Sequence, residues 1–415
     1  MPHAADTKKP PAGPMPNPLG ALKQHAGLPL LFLLLIFLPL ADMIFRIGRP
    51  VPIRENRKLA AKPRFTLRQP WGFLKNYEAY FNDHFGFRTR LLLAHNRLVY
   101  GLFRVSATEK VIIGRQGWLF LSRMADFTNE VDYYRAIKPF SLGELAAFKK
   151  VLEERRDWLA ERGIRYLFML APNKSTIYPE FMPAYLNKVH PRSRMDQLVD
   201  YLARHSDLRI LDLRPALLKE KQSARIYHKT DSHWNDLGGY FVYREMMRRL
   251  GEYFPGVRPM QLGDFVVGRV SGPEGDLASM LALRSDRWRE ILSTIEPKVP
   301  FQARPAASTP GFAPVNTWIH LDATECPGAP IAAAVMVRDS FGHQLIPFLS
   351  ETFARIVYIW DWDLHFFPDV IAKEKPFIVI DEMAERSLLN PVPVNPLLPP
   401  RPKGRPGADY PVNPR

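Results

Sequence analysis

Apolar positions follow three regimes along the chain. From Ala26 to Phe45 they are almost continuous: LPLLFLLLIFLPL carries no charge, and only Asp42 interrupts the twenty residues. At about 1.5 Å per residue such a run just spans a hydrocarbon core of about 30 Å. It predicts one transmembrane helix. No small-x-small site follows, which favours an uncleaved anchor over a removed signal peptide. From Trp71 to Phe103 the spacing turns helical, through Phe73, Tyr77, Tyr80, Phe81 and Phe85. Amphipathic helices are expected there, packed on a domain or lying on a membrane surface. Beyond Lys110, short apolar runs alternate with helical patterns.

That last regime sets the fold class. Lys110 to Leu121 reads as a hairpin with Gln116-Gly117 near its turn. Ser141 and Glu144 have the spacing of a capping box, opening a helix through Leu145, Phe148, Leu152 and Leu159 that stops near Gly163. Ile164 to Leu170 then reads as a buried strand. A second unit follows, with helix Met195 to Arg204 and strand Leu208 to Leu211. Asn235 can cap a helix through Tyr240, Phe241, Met247 and Leu250 that ends at Gly251. Ile331 to Val337 is another buried strand, followed by strand Ile356 to Trp360, a helix near Asp369 to Ala372, and strand Phe377 to Ile380. Glu382 and Arg386, just past it, are expected in structural ion contacts. Helix and strand in repeated succession imply an α/β domain of three layers with a mostly parallel sheet. Residues 255–330 are Pro/Gly-rich and read as an irregular insertion. Residues 1–25 and 389–415 read as Pro-rich disordered tails, and 46–70 as a basic linker. The expected domain runs from 71 to 388.

Composition adds little but excludes some classes. The chain has 415 residues, 46% hydrophobic, enough for a sizeable core. One cysteine, Cys326, excludes an internal disulfide framework. The net charge of +15 favours anionic partners. No nucleic-acid motif accompanies it, so a glycan or a membrane surface is the better expectation.

Two stretches carry chemistry. Tyr227-His228-Lys229-Thr230-Asp231-Ser232-His233-Trp234-Asn235 brings an acid and a base within two positions. On an extended segment, side chains two apart face the same way. About a hundred residues later, the apolar run to Val337 breaks at Arg338-Asp339-Ser340-Phe341-Gly342. A serine needs a base to take its proton, and the base needs a carboxylate to orient it. Ser340, His233 and Asp231 could fill those roles. A serine at a strand-to-helix turn would also lie beside backbone N–H donors suited to an oxyanion. Asp231 could equally cap the following helix and His233 pack in the core. His228, Asp231 and His233 could instead hold a metal, although no Cys or further His cluster completes such a site. Asn173 and Lys174 sit just past a strand end, where α/β sheets bind ligands. Asn173 could donate to an oxyanion, and Lys174 could meet an anionic glycan. Trp234 could line a sugar cleft or belong to the core.

The blocks KTDSHWND from Lys229 and VRDSFG from Val337 resemble paired motifs of the SGNH-hydrolase-like alginate O-acetyltransferase family, the AlgJ/AlgX kind. YFNDHFGFR from Tyr80, VIIGRQGWLFL from Val111, APNKSTIYPEFMP from Ala171 and GDLASML from Gly275 agree with it in order. The resemblance runs from Trp71 to Leu389. It implies an SGNH-like domain with Asp231, His233 and Ser340 as its triad, in an order permuted relative to ordinary SGNH esterases. The implied activity is O-acetyl transfer to an exported polysaccharide, with no soluble cofactor and no metal. A partner integral membrane acyltransferase would supply the acetyl group. The Gly and Asn blocks of ordinary SGNH enzymes are not evident, so the resemblance names no oxyanion donor. An esterase with the same triad, or a non-catalytic glycan-binding assembly protein, are the rival expectations. Flanking charge (Lys8, Lys9 and Lys23 before the apolar segment; Arg46 to Arg64 after it) by itself places the bulk of the chain in the cytoplasm. The resemblance implies the periplasm, behind an inner-membrane anchor, and long domains translocate despite flanking charge.

Overall fold

The computed structural model describes residues 27–48, 59–65, 70–123, 129–281, 283, 288–312, 316 and 318–396. The expected tail at 1–25, most of the linker and the end of the C-terminal tail lie outside the described residues. The chain divides into two units, 1–95 and 96–415.

In the first unit, Gly27–Phe45 is one helix of 19 residues with Pro39 inside it and no buried residue. It is long and apolar enough to cross a membrane. Asp42, the one charge in the run, is not left idle. Its carboxylate accepts the backbone N–H groups of Gly48 and Phe87. Pro70–His84 is a second helix, and a third, Arg88–Phe103, begins in this unit. Trp71, Leu74, Tyr77 and Phe81, three or four apart, form an exposed apolar stripe on the second helix.

The second unit is built on one sheet of seven strands. Its strands in chain order are numbered after the hairpin β1 (Val111–Ile113) and β2 (Leu119–Leu121). They are β3 (Arg165–Ala171), β4 (Leu211–Asp212), β7 (Arg304–Ala306), β8 (His320–Glu325), β9 (Ile331–Arg338), β10 (Phe353–Trp360) and β11 (Ile378–Ala384). A separate ribbon pairs β5 (Phe265–Gly272) with β6 (Glu290–Pro297). The sheet order is β4-β3-β11-β9-β10-β8-β7. The first five strands are parallel, and β8 and β7 add antiparallel at the edge.

The central strands are apolar on both sides because both sides are covered. Along β9, Ala334 and Met336 enter one core while Val335 and Val337 enter the other. Helix Asp236–Tyr253 covers the first face, with Tyr240, Val242 and Met246 buried. Helices Leu142–Ala160 and Arg194–His205 cover the second. The outcome is a three-layer α/β domain with a mostly parallel sheet. The Ser141–Glu144 capping box forms in both directions and starts the first of these helices.

Three expectations need correction. Residues 255–330 are not irregular: they supply the β5–β6 ribbon and the two edge strands β7 and β8. The strand expected at 208–211 is confined to Leu211–Asp212. Glu382 lies inside β11 and not past it, fully buried; its Oε2 accepts the backbone N–H of Asp339 at 3.0 Å, and it is a charge partner of Arg338. Arg386 lies over the Phe341 ring, 5.3 Å from its centre.

Candidate active site

The acid and base come from the loop between Tyr227 and Trp234, which are joined by an isolated antiparallel bridge. This loop is tied down from several sides. Leu119 N–H donates to the Lys229 carbonyl at 2.9 Å, and Leu277 and Ala278 both donate to Thr230 O at 3.1 Å. Glu290, on β6, accepts from Lys229 N at 2.8 Å and Thr230 Oγ1 at 3.2 Å. From beneath, Lys174 Nζ donates to three carbonyls, His228 O at 3.1 Å, Lys229 O at 3.2 Å and Asp231 O at 2.6 Å.

Asp231 and His233 meet through a turn, not through an extended strand. Asp231 Oδ1 accepts the His233 backbone N–H at 3.0 Å, an Asx-type turn. The same oxygen lies 2.7 Å from His233 Nδ1. The turn therefore delivers the imidazole to the carboxylate. On the far side of the ring, His233 Nε2 lies 2.8 Å from Ser340 Oγ. Asp231 can only accept, so Nδ1 carries the proton and Nε2 offers its lone pair to the serine. The three residues form one hydrogen-bonded line with the polarity that proton removal from Ser340 requires.

Ser340 opens a 3-10 turn, Ser340–Leu345, at the C-terminal end of β9, and a short helix, Ile346–Ser350, follows. Asp339 fixes this turn with both oxygens. Oδ1 accepts from Phe341 N at 2.8 Å, and Oδ2 from Ala384 N on β11 at 2.7 Å. Backbone N–H donors were expected at this turn, and the Phe341 N–H is already engaged. Gly342 cannot carry a side chain here. A Cβ would stand 2.7 Å from Arg338 Cδ and 3.2 Å from Glu382 Oε2.

Sequence reasoning left Asp276 without a role, and missed Ser232 and Glu290. Asp276 Oδ1 accepts from Ser232 N at 2.8 Å and Oδ2 from Ser232 Oγ at 2.6 Å. Its own N–H donates to Asp231 Oδ2 at 3.0 Å. Ser232 Oγ in turn lies 3.2 Å from His233 Nδ1. Asp276 thus braces both members of the pair from a helix 45 residues further on. The GDLASML block was the one signal that could have found it.

Electrostatics separate the two carboxylates. Burial pushes Asp231 up, but the hydrogen bond and charge of His233, with the N–H groups of Asp276 and His233, hold it well below the usual carboxylate range. Burial raises Asp276, and the neighbouring Asp231 charge raises it further. Burial likewise brings the Lys174 ammonium down to about 8, against the pull of Asp276 and Asp231. Behind the nucleophile, burial and then the Asp339 charge push Glu382 well above the ordinary range, while its contact with Asp339 N–H and the Arg338 charge pull the other way.

Of the remaining expected site residues, Trp234 is corrected. Its indole is fully buried between Tyr227 and Phe341, so it is core and lines no sugar cleft. Lys174 is also corrected: it is 2% exposed and holds the Asp231 loop, so it cannot meet a glycan. Asn173 is buried, and both polar atoms of its side chain are without a hydrogen-bond partner. The metal set considered from sequence does not assemble. His228 lies 3.4 Å from Glu290 instead, and His233 spends its nitrogens on Asp231 and Ser340.

Comparison with known proteins agrees with the motifs. Residues 111–310 match the family described as "SGNH hydrolase-like domain, acetyltransferase AlgX". The match holds Asp231, His233 and Asp276 and stops short of Ser340. The "Probable alginate O-acetylase AlgJ" of Pseudomonas aeruginosa is 28% identical over 215 residues, half of this chain and half of its own length. The chain thus spans about half the length of that curated relative. Among solved structures, the O-acetyltransferase domain of Pseudomonas putida AlgJ is 19% identical with a TM-score of 0.43, over 69% of this chain and 94% of that one. Bacillus cereus PatB1 is 16% identical with a TM-score of 0.48, over 66% and 95%.

Proposed function

We propose that this chain is an O-acetyltransferase that moves acetyl groups onto hydroxyls of an exported polysaccharide. The observation that carries the reading is the unbroken line from Asp231 through His233 to Ser340, with contacts of 2.7 and 2.8 Å. Ser340 Oγ attacks the carbonyl carbon of an acetyl donor while His233 Nε2 takes its proton. Asp231, held ionised, stabilises the imidazolium. The leaving group takes the proton back, and an acetyl ester remains on Ser340. A sugar hydroxyl then attacks that ester, again giving its proton to His233. Collapse returns the proton to Ser340 and leaves the acetyl group on the sugar.

Polymer class and setting follow by likeness. Alginate is the polysaccharide named for the Pseudomonas aeruginosa relative, and an acidic polymer suits a chain of net charge +15. Gly27–Phe45 anchors the protein in the inner membrane, with the catalytic unit in the periplasm. There an integral membrane acyltransferase delivers the acetyl group. The test is product analysis with a deacetylated polymer. Acetyl esters on the polymer, lost in Ser340→Ala with folding kept, support transfer. Net acetate release without polymer labelling would make the protein an esterase. Unchanged acetylation in Ser340→Ala would make it a non-catalytic assembly protein.

A further inference from the structure

The helix Pro70–His84 has almost no cover of its own. None of its residues from Trp71 to His84 is buried. The segment 59–65 shields one side. Ala60 N–H donates to Asp83 Oδ2 at 2.8 Å, and the Phe65 ring meets Phe73 edge-on at 5.1 Å. Phe73, Tyr80 and Asp83 are accordingly half-buried. The other side stays bare. Trp71 keeps 82% of its surface open and Leu74 55%, and Tyr77 and Phe81 continue the exposed stripe. Lys75 and Glu78 run along one edge of it, with stems long enough to keep their charges in water. A helix of 15 residues is marginal by itself in water, and a contiguous bare apolar stripe marks a docking surface.

The apolar helix Gly27–Phe45 fixes where that stripe lies. The turn that follows Pro70–His84 packs on the last two turns of this span. A Cβ at Gly86 would stand 2.0 Å from Pro39 O and 2.6 Å from Asp42 Cβ. Phe87 N–H donates to Asp42 Oδ2 at 2.8 Å, and Gly48 N–H donates to Oδ1. Asp42 and Pro39 precede the end of the span at Phe45 by about 4.5 and 9 Å along the helix axis. The span of 19 residues only just crosses a hydrocarbon core. The turn is therefore held about 5–10 Å below the end of the span, the depth at which surface-lying helices bury their apolar faces. Composition points the same way. Trp and Tyr are the residues that collect at membrane interfaces. Residues 46–68 carry eight Lys or Arg against one acidic residue, Glu55, a balance that draws anionic headgroups.

We infer that the helix Pro70–His84 lies along the bilayer surface, with Trp71, Leu74, Tyr77 and Phe81 among the lipid chains and Asp42 pinning its C-terminal end to the span. This rests on Gly27–Phe45 crossing the membrane, and it adds a second, sideways contact with the same leaflet. A single span can swivel about its axis. A surface helix tied to that span removes the freedom.

The test uses the full-length protein in vesicles of phosphatidylethanolamine and phosphatidylglycerol, with Cys326→Ala removing the one native thiol. Single nitroxides are introduced through Leu74→Cys and Phe81→Cys on the stripe, Asn76→Cys and Ala79→Cys on the side turned away from it, and Leu34→Cys in the span. Relaxation by molecular oxygen against a water-soluble nickel chelate reads the depth of each. The oxygen-to-nickel ratio at 74 and 81 should exceed that at 76 and 79 several-fold, with position 34 the deepest. Gly86→Val should lower the ratio at 81 towards that at 79 and leave position 34 unchanged. Equal, water-like ratios at all four helix positions, with position 34 still deep, would overturn the surface helix and leave the anchor standing. Shielding of 74 and 81 from both reagents would mean cover by a second copy, and would overturn the lipid contact. So would shielding that arises only when an integral membrane acyltransferase is added, which would assign the stripe to that protein. An unchanged ratio at 81 in Gly86→Val would overturn the pinning. A water-like position 34 would sink the anchor itself, and the surface helix with it.

Discussion

His233 Nε2 and Ser340 Oγ lie 2.8 Å apart although 107 positions separate them in the chain. Two devices set that distance. Lys174, Glu290 and Asp276 fix the His233 loop, whereas Asp339 ties the Ser340 turn to β11. The loop and the turn also pack directly, with the His233 and Trp234 rings against Phe341.

Asp231→Asn should leave the fold intact and lower kcat about 10⁴-fold, the scale seen when an orienting carboxylate becomes an amide. The amide can donate to Nδ1, which favours the wrong imidazole tautomer. Steady-state kinetics with p-nitrophenyl acetate, alongside circular dichroism, checks this.

Asp276→Asn should act more mildly, because Asp276 reaches the imidazole only through Ser232 and its own N–H. A fall in kcat of about 10-fold is expected, less than the roughly 10²–10⁴-fold that general-base catalysis itself supplies, with KM unchanged. Glutamate at 276 should not restore the rate, since its longer stem displaces the Ser232 contact. A Tm loss with full specific activity would show a purely structural role.

Gly275→Ala places a Cβ 2.6 Å from Asp231 Cβ and from Asp231 N. The loop must move, and the carboxylate moves with it. We expect destabilisation of about 1–3 kcal/mol together with loss of most activity, read from urea unfolding and the ester assay.

Lys174 gives stability a pH signature. Its ammonium titrates at about 8 in the folded chain and at 10.5 when unperturbed. Below the folded value it is charged in both states, and burial of that charge costs stability in full. As pH rises from about 8 towards 10.5, the unfolded state holds more protons than the folded one, so stability rises. Lys174→Met lacks this rise. The difference between wild-type and variant unfolding free energies should climb by up to about 3 kcal/mol across that window. A flat difference would contradict the buried ammonium.

Sequence patterns foretold the parts whose physics is local. The apolar run to Val337 and its break at Ser340 marked a buried strand and an exposed turn, and the Ser141–Glu144 spacing marked a helix start. Four positions of the β5–β6 ribbon escaped notice because Val266, Val267, Val270 and Ile291 are exposed, so the ribbon lacks the clean alternation of a half-buried strand. Edge strands β7 and β8 are short and polar, like the loops around them. Trp234 and Trp318 show the limit most plainly. Either indole suits a core or a sugar, and only tertiary placement buried the first and left the second open. Asp276 and Glu290 were missed because their partners lie 44 and 60 or more residues away.

Trapping the acetyl-enzyme tests the central claim most directly. Full-length protein incubated with p-nitrophenyl acetate, quenched in acid and digested, should yield one acetylated peptide, with the ester on Ser340. His233→Ala should abolish it. Acetyl found on another residue, or none on Ser340 while the polymer is still acetylated, would contradict the account.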